Sequence, residues 1–149
     1  MRLLVTLLAV AFVPAERHFQ DPAKNDLDQL QGAWILVQSE SQNPIVPDPK
    51  LNNRVLIIGD QYKRFTLEEP PILVRTFRLD PSTQPKSIEL IAKNPGGHDF
   101  VFKGIYEIKG DTFRFCFALN NNDRPKEFRI GAGSTANTIT TYRLVNRTK

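Results

Sequence analysis

The sequence predicts an all-β domain: an eight-stranded antiparallel up-and-down barrel preceded by a short helical turn. Three observations predict it. Beyond Gly32 the chain is a series of short runs rich in branched and aromatic side chains, with no long helical periodicity between them. Two joints, "IIGDQY" and "EIKGDTF", carry Gly59-Asp60 and Gly110-Asp111, where glycine supplies the positive φ of a tight hairpin. Apart from Pro14 and Pro22, the prolines all fall between the runs, as strands that donate every N–H to a ladder require. Closing such a sheet on itself removes the edges that would invite aggregation. A two-sheet sandwich is the alternative.

The elements follow in order. Residues 1–15, "MRLLVTLLAVAFVPA", combine a basic start at Arg2, an apolar run from Leu3 to Val13 and small residues suited to cleavage after Ala15. That is the pattern of a secretory signal peptide, and the run is short of the ~20 apolar residues that a membrane-spanning helix needs. Residues 16–25 are polar and read as a flexible leader; the barrel domain occupies 26–149. "NDLDQLQ" forms one helical turn capped by Asn25 or Asp26. The eight strand runs are "WILVQSE", "RVLII", "YKRFTL", "LVRTFRL", "KSIELIA", "FKGIYEI", "TFRFCFA" and "TITTYRLV".

Period-two alternation sorts the faces. Phe113, Phe115 and Phe117 share one face, opposite Arg114 and Cys116. Phe65 and Leu67 oppose Arg64 and Thr66, and Tyr142 and Leu144 oppose Thr141 and Arg143. The expected inward set is Trp34, Leu36, Phe65, Phe77, Tyr106, Phe113 and Phe115.

Composition narrows function. The net charge of +4 is scattered among acidic residues, which gives no basic face for nucleic acid. No second long apolar run exists, so no transmembrane segment is expected in the mature chain. The single cysteine, Cys116, reads as a small strand residue and cannot form an internal disulfide. His98 with Asp99 supplies at most two of the three or four ligands of a metal site, so neither metal nor cofactor is expected. Glu68 and Glu69 point to opposite faces of an extended chain, and no serine sits in a nucleophile elbow. "GAGS" lacks the helix and lysine of a phosphate loop. No catalytic constellation emerges, and a non-enzymatic protein is expected.

The arrangement of a helical turn, Gly32-Ala33-Trp34 opening the first strand and a late arginine resembles the lipocalin pattern. A closer resemblance is to the small lipocalin-like domain frequent in planctomycete secreted proteins, whose function is uncharacterised. The matching stretches are "DLDQLQGAW", "DPSTQPKSIEL", "GIYEIKGDTFRFCFA" and "RPKEF", spanning Asp26 to Val145. The resemblance implies that Trp34 packs at the closed end of the barrel beneath Arg143, or alternatively Arg147. It also marks Gly32, Arg124, Pro125, Glu127 and Phe128 as structural motif positions. Here Phe128 is expected to plug a barrel end, with Arg124 bonded to Glu127 or to a backbone carbonyl. A disulfide and a mid-barrel acidic-aromatic motif usual in lipocalins proper are missing.

The expected function is that of an exported binding protein, periplasmic or extracellular, for a small hydrophobic or amphipathic ligand. Arg75 or Arg143 would meet a ligand carboxylate, and Trp34, Leu36, Phe65, Phe77, Tyr106, Phe113 and Phe115 would surround its apolar part. The alternative is a protein-interaction or inhibitory module with a filled barrel that acts through its end loops.

Overall fold

A computed structural model describes residues 21–41, 53–65, 73–118 and 123–147. Residues 1–15, expected as a signal peptide, and the stretch bearing Glu68 and Glu69 lie outside them. The elements are α1 (Pro22–Leu30), β1 (Gly32–Ser41), β2 (Arg54–Ile58), β3 (Gln61–Phe65), β4 (Leu73–Asp80), β5 (Ser87–Ala92), β6 (Phe100–Lys109), β7 (Thr112–Ala118) and β8 (Ala136–Asn146). The strands pair in sequence order, each antiparallel to its neighbour, and β8 returns to β1 to close the barrel. Each of the eight expected runs falls on a strand over its described residues, and both glycine hairpins turn at positive φ, 58° at Gly59 and 59° at Gly110.

The helix starts earlier than expected. Asp21 accepts the Ala23 N–H at 2.9 Å and Pro22 occupies the first turn, a pairing of acidic N-cap and early proline that favours initiation. Residues 22–25 therefore belong to the folded domain rather than to a leader.

The barrel has two unlike ends. The tight turns at Gly59-Asp60 and Gly110-Asp111 and the start of β1 lie at the end that α1 covers. The longer connections, from β1 to β2, β3 to β4, β5 to β6 and β7 to β8, lie at the other end. Trp34 is fully buried at the helix-covered end, where its Nε1–H donates to the Leu30 carbonyl at 2.8 Å. Its indole meets the Phe113 ring edge-on at 5.8 Å between centroids. Gly32, at φ 135°, lets the chain pass from helix to strand, because a Cβ there would collide with the Asn146 carbonyl on β8.

Asp26 is buried beneath this cap and binds two donors, Tyr106 Oη at 2.6 Å and Lys86 Nζ at 2.7 Å. Arg147 donates from Nη1 to the Gln29 carbonyl at 2.9 Å, so the late arginine secures the helix backbone. Arg143 does not lie over Trp34. It is exposed, because alternation along β8 turns Tyr142 and Leu144 inward and Arg143 outward.

A second, smaller apolar cluster lies on the outer wall. Ile105, Cys116 and Ile139 face outward from β6, β7 and β8, and Phe128 and Ile130 cover them. Phe128 thus seals the outside of the barrel and does not plug its end. The Arg114 guanidinium stacks on the Phe128 ring at 4.7 Å, and Arg124 pairs with Glu89 on β5 at 3.2 Å. Glu127 pairs instead with Arg129 at 2.8 Å, so the expected Arg124–Glu127 bond is not made. Pro125, buried, anchors the segment between these contacts.

Candidate functional site

The interior divides into a filled half and an open half. Toward the helix, Trp34, Val55, Ile57, Phe77, Ile88, Tyr106 and Phe113 occupy the lumen. Toward the long connections lies a cavity of about 370 Å³, lined by residues of β1 and of β3 to β8. Its floor is aromatic. Tyr62, Phe115 and Tyr142 form it, with Tyr62 and Phe115 edge-on at 6.2 Å and Phe115 and Tyr142 at 5.6 Å between ring centroids.

Gly104 makes room for part of the wall. It faces inward opposite Phe117, and a Cβ there would come within 2.6 Å of the Phe117 ring and 2.5 Å of the Cys116 carbonyl. The glycine therefore allows Phe117 to lie back against the strand, which keeps the lumen open. Leu36, Leu73, Leu90 and Phe102 complete the apolar surface.

Polar groups enter at defined heights. The Tyr62 and Tyr142 hydroxyls share one hydrogen bond of 2.9 Å, and burial raises both phenols well above or above their ordinary pKa. Both remain protonated at neutral pH. Ser39 and Thr140 face each other across β1 and β8 and are buried. Arg64 and Arg75 reach the cavity from β3 and β4. Arg64 donates from Nη2 to Asn53 Oδ1 at 3.4 Å, and Arg75 from Nη1 to its neighbour's carbonyl, Val74 O, at 3.1 Å. Among the described residues neither guanidinium is in an ion pair, and the cavity lining contains no carboxylate. The site is thus an apolar pocket with two cations at its wall.

The expected ligand-facing residues are placed as follows. Leu36, Arg75 and Phe115 line the cavity. Trp34, Phe77, Tyr106 and Phe113 are interior but lie in the filled half, where they pack against one another. Phe65 faces outward beside Ala33, Arg54 and Leu56, because its neighbour Tyr62, three positions earlier, holds the inward register. Arg143, exposed on the outer face, is also excluded from the cavity.

Sequence reading missed Ser39, Tyr62, Arg64, Thr140 and Tyr142 as a group. The signal for Arg64 was its spacing of two from Tyr62, which sets both on one face. His98 is exposed, and its neighbour Asp99 is engaged by Lys93 at 2.6 Å. Cys116 is fully buried, and that burial pushes its thiol up to about 11. No helix among the described residues is long and apolar enough to cross a membrane.

A closed up-and-down barrel with one end capped by a helix and an apolar, arginine-bearing cavity at the other defines a fold and a type of site. Comparison with protein-family models, curated proteins and solved structures returned no match to the chain.

Proposed function

We propose that the protein is an exported, non-enzymatic binding protein of lipocalin-like kind, and that it holds a small amphipathic anion in the open half of its barrel. One observation carries this reading: a cavity of about 370 Å³ whose wall is mostly apolar and whose only charged lining groups among the described residues are Arg64 and Arg75. Pockets that accept small molecules span roughly 300–1,000 Å³ and combine apolar walls with a few placed polar groups. A guanidinium binds a carboxylate through paired, charge-assisted hydrogen bonds, and a low-dielectric wall strengthens them. The segment "MRLLVTLLAVAFVPA" and the Gly32-Ala33-Trp34 arrangement under α1 support the export and lipocalin-like parts of the reading.

Native mass spectrometry of protein purified from its own host, followed by displacement of a fluorescent apolar probe with a panel of organic acids, tests it. The expected result is a co-purifying acid, and a double variant Arg64→Gln/Arg75→Gln that binds panel acids about 10- to 100-fold more weakly. Apo protein that binds no member of the panel would overturn the reading.

A second reading, a protein-interaction module working through the open end, draws on Phe100. It is 61 % exposed at the start of β6, and Val101 beside it is also exposed. On this reading the cavity stays empty in the same spectra, and Phe100→Ser abolishes partner binding.

A further inference from the structure

The cavity carries hydrogen-bonding capacity that no described residue uses. Ser39 is only 9 % exposed and lines the cavity, yet its Oγ has no hydrogen-bond partner among the described residues. Native structures rarely leave a buried hydroxyl so. Nearby, Leu36 pairs with Tyr142 and Ser39 with Thr140, which sets Ser39 one layer closer to the mouth than the tyrosines. The Tyr62 and Tyr142 hydroxyls carry two hydrogens, and their mutual bond consumes one. Burial keeps both phenols protonated, so the second hydrogen remains to be donated.

These donors stand among rings. Phe115 and Phe117 are edge-on at 4.9 Å, and both face the lumen. A flat ring gains from edge-on contacts with such surroundings beyond what its buried area provides. A cavity of about 370 Å³ suits an acid of roughly a dozen non-hydrogen atoms, such as a single ring bearing a short acid chain. An alkyl tail would leave Ser39 and the phenolic hydrogen unpaired, which a buried site penalises.

Resting on the reading of the cavity as a ligand site, we infer that its ligand is a small aromatic carboxylate with an oxygen substituent on the ring. The carboxylate binds Arg64 and Arg75, the ring lies against Phe115 and Phe117, and the ring oxygen bonds Ser39 and the Tyr62–Tyr142 pair.

Calorimetric titration of the folded protein with 4-hydroxycinnamate, cinnamate and decanoate tests this, three acids of similar size that differ in ring and hydroxyl. The expected order is 4-hydroxycinnamate about 3- to 10-fold tighter than cinnamate, with decanoate weaker than both. Ser39→Ala is expected to bring the two cinnamates within about twofold of each other and to leave the melting temperature unchanged, since it deletes an unpartnered group. Shifts in the backbone amide spectrum at Ser39 and Thr140 locate the bound acid. Decanoate binding at least as tightly as 4-hydroxycinnamate would sink the aromatic assignment and leave the cavity reading standing. Equal binding of the two cinnamates, or a ratio that Ser39→Ala does not change, would sink the ring-oxygen assignment alone. Binding of none of the three at millimolar concentration would remove both.

Discussion

Tyr106 donates its phenolic hydrogen to Asp26 Oδ2 at 2.6 Å, joining the sixth strand to the helix across 80 positions of chain. The bond is buried, charge-assisted and shared with Lys86 Nζ on the same carboxylate oxygen. Hydrogen bonds to charged groups contribute about 1.5–3 kcal/mol. Tyr106→Phe should therefore lower stability by roughly that amount in urea titrations near neutral pH. Asp26→Ala should cost more, because it leaves the buried Tyr106 hydroxyl unpartnered and also removes the Lys86 ion pair. Equal stability of Tyr106→Phe and the parent chain would show that the contact is energetically idle.

Trp34 combines a fully buried indole with a hydrogen bond to the Leu30 carbonyl. Trp34→Ala should cost about 3–5 kcal/mol as a core truncation. Trp34→Phe keeps much of the apolar volume but loses the donor, and should fall between the parent and the alanine variant. A thermal melt of the three proteins orders them.

Gly104→Ala should both destabilise and narrow the cavity. The added methyl meets a backbone carbonyl as well as the Phe117 ring, so side-chain rotation alone cannot relieve it. A cost of about 1–3 kcal/mol is expected for such overpacking. Because Phe117 is forced toward the lumen, any cavity ligand should bind more weakly in the variant even where it remains folded. Unchanged affinity in a folded Gly104→Ala protein would contradict the role given to this glycine.

Alkaline pH should unfold the protein. Burial raises the phenols of Tyr62, Tyr106 and Tyr142, with Asp26 adding to the rise at Tyr106, and lifts the Cys116 thiol from 9.0 to about 11. A raised acid favours its neutral form in the folded state, so its contribution is fully present below the unfolded pKa. For Cys116 it is lost as pH rises from 9.0 to about 11. Urea midpoints should fall steadily above pH ~9. At pH ~8 a thiol reagent should label Cys116 only when denaturant is added.

Strand positions and hairpins were legible because alternation, glycine turns and the placement of proline all carry local physical signals. Facing was less legible, and β2 and β3 show why. "RVLII" is apolar at every position after Arg54, so it does not say which of its faces is inside. The Gly59-Asp60 hairpin transfers that ambiguity to β3, and Phe65 reads as inward on hydrophobicity alone. The register pairs Val55 with Arg64 and Ile57 with Tyr62, which turns an arginine into the lumen and a phenylalanine out. The same limit applies to Phe128. Its burial against an outer wall depends on Ile105, Cys116 and Ile139 lying side by side, a juxtaposition set by the pairing registers of β6, β7 and β8. The cavity itself is a tertiary quantity. It arises from the set-back of Phe117 at Gly104 and from a bulge between Leu36 and Gln38 that turns Ser39 inward. Neither leaves a mark in composition.

The placement of Asp21 and Arg147 has a mechanical consequence. Asp21 caps the helix that covers one pole of the barrel, and Arg147 binds that helix's backbone from the end of β8. Polypeptide joined before Asp21 or after Arg147 therefore departs from the pole opposite the mouth. A tether fixed next to Asp21 or Arg147 would hold the barrel by its helix-covered pole, with the cavity end facing away from the attachment.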